Sequence, residues 1–201
     1  MYIARILYPV QVLGPGNRIG IWFNGCTHGC EGCSNPELWQ QQERYRTTAE
    51  TVLELIDRIC RTQTVEGFTL TGGDPFAQPE ALRLLLPKLQ QESKDILVYT
   101  GYSYSEVQQS YPDILEQIGV LIDGKYVQER NNGAVLRGSD NQNVLVLRPS
   151  LEEKYHRYLQ STKNEIQNFT ARDGVISVGI HRPDYEERVD ILLRGKGLKN
   201  I

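Results

Sequence analysis

The chain has 201 residues, 39% of them hydrophobic, and a formal net charge of -3, which suits one domain or one domain with a sizeable extension. A mean hydropathy of -0.44 excludes a disordered chain, and a pI near 5.7 argues against an obligate nucleic-acid binder, which carries a basic face. No apolar run nears a membrane span, no signal peptide opens the chain, and four cysteines with three clustered make no secreted framework, so the expected home is the cytoplasm.

Ile3 to Val12 alternates apolar and polar residues loosely and is predicted as an edge strand, ended by the turn Leu13-Gly14-Pro15-Gly16. Ile19 to Phe23 is a buried strand feeding a loop that holds Cys26, Cys30 and Cys33 at the spacing C-x-x-x-C-x-x-C. Gly25, Gly29 and Gly32 each precede one of them. Glycine takes positive φ and lets backbone approach a bulky object, so the loop is suited to caging something larger than one ion. Structural zinc takes four ligands, and His28, inside the loop, is available as the fourth, although a histidine so placed is more often a loop hydrogen-bonder than a catalyst. A [4Fe–4S] cluster offers one ligand position per iron, so three cysteines would leave one iron open for a substrate or cofactor. Three ordinary buried thiols are the third reading.

Thr48 to Arg61 carries Val52, Leu55, Ile56 and Ile59 at helical spacing, with Thr47 or Thr48 as N-cap and Cys60 beside the stripe as a packing residue. Phe68 to Thr71 is a short strand running into Gly72-Gly73-Asp74-Pro75, followed by a helix over Ala81 to Leu89. Ile96 to Tyr99 is the next strand, ending at Thr100-Gly101-Tyr102; one or two short helical segments surround Pro112. Val120 to Ile122 is another strand, ending at Asp123-Gly124-Lys125, and Val144 to Leu147 is one more after a polar loop. Beyond Pro149, a helix over Leu151 to Leu159 and short strands at Glu165 to Thr170, Val175 to Ile180 and Val189 to Leu193 are expected. Strand, loop, helix in repetition defines βα units and a parallel sheet, whose strand C-termini would bring the cysteine loop, GGDP, TGY and DGK to one rim.

GGDP alone is compatible with an ordinary turn; one βα unit after a three-cysteine loop, it resembles part of a known site. The chain resembles the radical S-adenosylmethionine (radical SAM) superfamily, and within it the branch that activates anaerobic ribonucleotide reductases. The resemblance runs through Gly14–Arg18, Asn24–Trp39, Thr71–Pro75, Tyr99–Tyr102, Leu121–Gln128 and Arg137–Gln142, in the family's order. Gly32 stands where many superfamily members place an aromatic residue, a departure that this branch tolerates. The implied fold is α/β, a partial (βα) barrel over residues 1–149, with a C-terminal α+β extension over 150–201 that the family pattern does not include.

The resemblance implies that Cys26, Cys30 and Cys33 ligate a [4Fe–4S] cluster whose fourth iron is chelated by S-adenosyl-L-methionine (SAM). One electron from the reduced cluster then gives methionine and a 5′-deoxyadenosyl radical, while the protein binds, orients and shields. Gly72, Gly73 and Asp74 would hold the methionine amino group; Thr100, Asp123 and Lys125 are further cofactor contacts, and Arg137, Ser139 and Asn141 polar candidates at the same mouth. The implied activity is hydrogen abstraction from a polypeptide partner, forming a glycyl radical on an anaerobic ribonucleotide reductase. The implied electron donor is a flavodoxin or ferredoxin. Modification of a small precursor peptide, with the extension recruiting it or an accessory recognition protein, is the alternative within the same chemistry. A non-catalytic zinc-binding interaction module is the alternative outside it.

Overall fold

The computed structural model describes residues 1–161, 163–171, 174–182 and 184–195. Its centre is a six-stranded sheet in chain order, formed by β1 (Ile3–Val10), β2 (Arg18–Phe23), β3 (Gly67–Gly72), β4 (Ile96–Tyr99), β5 (Val120–Asp123) and β6 (Asn143–Val146). β2 to β5 run parallel, as βα units require, while β1 and β6 pair antiparallel at the two edges. The helices between the parallel strands are α1 (Ala49–Thr62), α2 (Pro79–Glu92), α3 (Tyr104–Ser110) and α4 (Pro112–Leu115).

Local chemistry sets these boundaries. Thr48 accepts the Thr51 amide and starts α1; Pro79 and Pro112 sit in the first turns of α2 and α4, where no amide is needed. Ser103 and Glu106 close a capping box at the start of α3. Cys60 packs against the core beneath α1, as expected from its place beside the apolar stripe.

Period-2 alternation divides the sheet into two faces. Ile19, Ile21, Phe23, Ile96, Val98 and Leu121 face one way and form a core with Val52 and Ile56 of α1 and Leu82, Leu85 and Leu89 of α2. Their neighbours Trp22, Leu97, Val120 and Ile122 face the other way. Described residues after 149 cover this second face. α5 (Glu152–Ser161) buries Tyr155 against Leu97, Val120 and Ile122, and the hairpin of β7 (Gln167–Ala171) and β8 (Gly174–Val178) sets Val178 against Val10, Leu13 and Trp22.

Leu13 to Gly16 does more than connect. The fully buried Arg18 guanidinium donates to Pro15 O at 3.1 Å, Thr69 Oγ1 at 2.7 Å and Asp95 Oδ1 at 3.0 Å. Asp95 also accepts from Tyr155 Oη at 2.6 Å and Lys154 Nζ at 2.7 Å, so α5 is joined to the start of the sheet.

One expected strand is a helix. Val189 to Leu193 lies inside α6 (Tyr185–Gly195), because a five-residue stretch carries no decisive period. Tyr185 and Val189, four apart, line the same cavity, as one helix face does. Among the described residues no helix is long and apolar enough to cross a membrane.

Candidate functional site

The loop after β2 is built by backbone. Gly25 N donates to Leu38 O and Cys26 N to Trp39 O, both at 2.8 Å, so the far arm of the loop returns alongside its start. Gly25, Gly29 and Gly32 hold φ of 120°, 60° and 67°, turns that a side chain resists. All three cysteines are free and partly exposed, and with β3 and β4 strand-end residues they line one cavity of about 510 Å³.

Burial pushes the Cys26 and Cys30 thiols above the ordinary thiol range, opposed by the backbone amides of His28 at Cys26 and of Tyr126 at Cys30. Asn35 N donates to Cys33 Sγ at 3.4 Å. A backbone N–H thus lies at each sulfur, set against the burial that opposes ionisation at Cys26 and Cys30. Among the described residues no three His, Cys, Asp or Glu side chains converge as ligands of a single ion. Thiols spread along one cavity suit a cluster in which each serves its own iron.

Gly72 and Gly73 line the same wall, and their lack of Cβ has a cause in the chain itself. A Cβ on Gly73 would lie 2.4 Å from Gly25 O, and one on Gly72 2.6 Å from Phe23 O. The space is used by Gly73 N donating to Phe23 O at 2.8 Å and Asp74 N to Gly25 O at 2.9 Å, which fixes β3's end against the cysteine loop.

Asp74 is buried and its carboxylate gathers three loops. It accepts from Phe76 N at 2.8 Å, Gly101 N at 2.9 Å, His28 Nε2 at 2.7 Å, and Thr100 Oγ1 at 3.0 and 3.1 Å. His28 also meets Tyr102 edge-on with ring centroids 4.7 Å apart, and Gly101 leaves room for it: a Cβ there would come 2.4 Å from the His28 ring. His28 is thus the hydrogen-bonding residue its loop position suggested.

Thr100 lines the cavity with Asp74, whereas Asp123 and Lys125 lie outside its lining. Asp123 accepts from Tyr104 N at 2.7 Å and Asn143 Nδ2 at 2.8 Å, tying α3 and β6 to the end of β5. Lys125 is exposed. Of the polar loop, Gly138 and Gln142 face the cavity, while Ser139 receives Val127 N and Asn141 donates to Lys125 O, folding the rim. Tyr126, Gln128 and Gln142 lie in stretches that carry the resemblance but were not singled out as site residues, and sequence reasoning missed the run Ser177 to Arg182 from the extension.

Three thiols on a glycine-turned loop, beside strand ends at one rim of a parallel sheet, define an iron–sulfur protein. Residues 12–145 match the family described as 4Fe-4S single cluster domain. The anaerobic ribonucleoside-triphosphate reductase-activating protein of Enterobacteria phage T4 is 36% identical over 143 residues, 69% of this chain and 90% of its own. That of Vibrio cholerae is 37% identical over 142 residues, 67% of this chain and 92% of its own, and that of Escherichia coli K12 is 35% identical over 149, 70% and 96%. Among solved structures, QueE from Escherichia coli superposes with a TM-score of 0.44 at 19% identity, over 61% of this chain and 69% of its own, too slight a likeness to bear on function. The chain belongs to the family of anaerobic ribonucleoside-triphosphate reductase-activating proteins, enzymes of the radical SAM type. Its cofactors are a [4Fe–4S] cluster and SAM, which sets the zinc reading aside.

Proposed function

We propose that this enzyme forms a glycyl radical on an anaerobic ribonucleoside-triphosphate reductase, in the cytoplasm, with a flavodoxin or ferredoxin as electron donor. The observation that carries the reading is the shared wall: Cys26, Cys30 and Cys33 line one cavity with Gly72, Gly73, Asp74 and Thr100. Cys26, Cys30 and Cys33 each hold one iron of the cluster, and the strand ends hold the methionine end of SAM. When bound, the two cofactors would supply one-electron reductive cleavage of SAM, the electron coming from the donor, and through it hydrogen-atom abstraction from the substrate.

The chain's own residues bind, orient and shield. Asp74 holds the three loops in register through its four partners, and Thr100 shares that duty with its hydroxyl in the cavity wall. Backbone amides of the loop and the rim donate towards the sulfurs and help to position them. Asp123 enters this reading as the pin of the β5 rim and Lys125 as a solvated neighbour, rather than as SAM contacts. The sheet is read as the partial (βα) barrel of the radical SAM type, its strand C-termini forming the rim.

The test is electron paramagnetic resonance of the reductase after anaerobic incubation with cluster-loaded enzyme, SAM and reductant. A doublet from a glycyl radical is expected. A mass change in a precursor peptide, with no doublet on any reductase, would replace this reading with peptide maturation.

A further inference from the structure

The extension reaches into the cavity. Six consecutive residues, Ser177 to Arg182, line it together with Tyr185 and Val189. The segment is anchored near both edges of the sheet. At β1, Gln167 Oε1 accepts from Gln11 N at 2.9 Å and its Nε2 donates to Pro9 O at 2.7 Å. On the other side Asn131 donates to His181 O at 2.9 Å and Asn164 to Ala134 O at 2.8 Å, so the loop after β5 holds it. Gly179 has φ of 143°, and a Cβ there would lie 2.4 Å from Glu165 O, so only glycine passes at this point. The cavity therefore has two built walls, the cysteine loop with the strand ends, and this strip.

A wall of consecutive residues presents main chain as well as side chains. Among the described residues β8, which ends at Val178, pairs with β7 alone, so its open edge at Ser177 and Val178 runs on into Gly179 to Arg182, a row outside any strand. The ligand that matches such a row is another polypeptide in extended form. The strip adds small or apolar side chains at Ser177, Val178, Gly179 and Ile180, and one cation, Arg182, at its end. It lies beyond residue 145, where the match to the iron–sulfur family ends.

We propose that Ser177–Arg182 is the docking strip for the polypeptide substrate, whose reacting segment lies along it in extended form, from the open edge of β8, facing the cysteine loop. This rests on the reading that the enzyme acts on an anaerobic reductase.

The photo-crosslinking residue p-benzoylphenylalanine, placed in the cluster-loaded protein at Arg182 in one variant and at Leu84 in another, tests the strip. Leu84 is 58% exposed on α2, on the face opposite the extension. The probe is the anaerobic ribonucleoside-triphosphate reductase of the same organism, irradiated with each variant, and its glycyl radical doublet is recorded with unsubstituted enzyme in parallel. A crosslink from position 182, absent from position 84 and mapping to the glycine-bearing segment, is the expected result. A second variant, Ile180→Glu, sets a charge on the strip and is expected to raise the Kd for the reductase about tenfold, against an unaltered Kd for Leu84→Glu. A doublet together with no crosslink at 182 and an unaltered Kd in Ile180→Glu would overturn the strip and leave the activase reading standing. No doublet and no binding of the reductase would overturn both.

Discussion

Asp74 sits where the loops after β2, β3 and β4 meet, and its carboxylate has a donor from each. A motif reading of GGDP assigns such an aspartate to the ligand; the geometry first assigns it to the protein, since both oxygens are engaged within the chain. Thr100→Val removes the one hydroxyl that bridges both oxygens and is expected to cost about 1 kcal/mol in urea unfolding of the apo-protein. Weaker SAM binding should accompany it in equilibrium dialysis of the cluster-loaded form. Cys30→Ala is expected to lose bound iron and the visible absorbance of the cluster, since each cysteine serves its own iron. At this scale the shared wall of the cysteines, Gly72, Gly73, Asp74 and Thr100 was legible because spacing after a strand is itself a structural statement. His28 was legible only as a hydrogen-bonder, and its partner Asp74 lies 46 positions away. Tyr126 and Gln142 were not legible, because a residue's place on a cavity wall depends on the loop fold and not on its own chemistry.

The elements were predicted well where periodicity ran long and poorly where pairing decided the outcome. β2 to β5 and their helices follow from alternation and 3.6-residue stripes, whereas the antiparallel sense of β6 depends on which neighbour it meets. Two close contacts between elements yield tests. Gly73→Ala would force a Cβ against Gly25 O, and an overpacking cost of about 1–3 kcal/mol is expected, seen as a lower Tm and lower cluster occupancy. Asp95 joins β2, β4 and α5. Burial alone would raise its pKa, but Arg18, Lys154 and Tyr155 outweigh that and hold the carboxyl below its ordinary value. The unfolded chain then binds this proton more readily, so the stabilisation is complete above about pH 4 and is lost as pH falls through the lower folded pKa. Asp95→Asn should flatten the acid limb of a Tm-against-pH curve, and because it leaves Arg18 buried without its charge partner, cost about 3–5 kcal/mol at neutral pH.

The whole molecule is a sheet with each face given a different task. Helices α1 and α2 pack one face, and the extension packs the other and lines the cavity with Ser177 to Arg182. No local pattern announces this: the extension's apolar residues are few and spaced like those of any small hairpin, and their partners Trp22 and Leu97 lie far off in sequence. The site itself, by contrast, was legible as one rim because every motif followed a strand. That rim is the centre of the account. Reconstituting the protein anaerobically with iron and sulfide, adding reductant and SAM, and assaying 5′-deoxyadenosine by mass spectrometry tests it most directly. Formation of 5′-deoxyadenosine with methionine, abolished by Cys30→Ala, is the predicted result. A fully loaded cluster that yields no 5′-deoxyadenosine, even with the reductase bound, would contradict it.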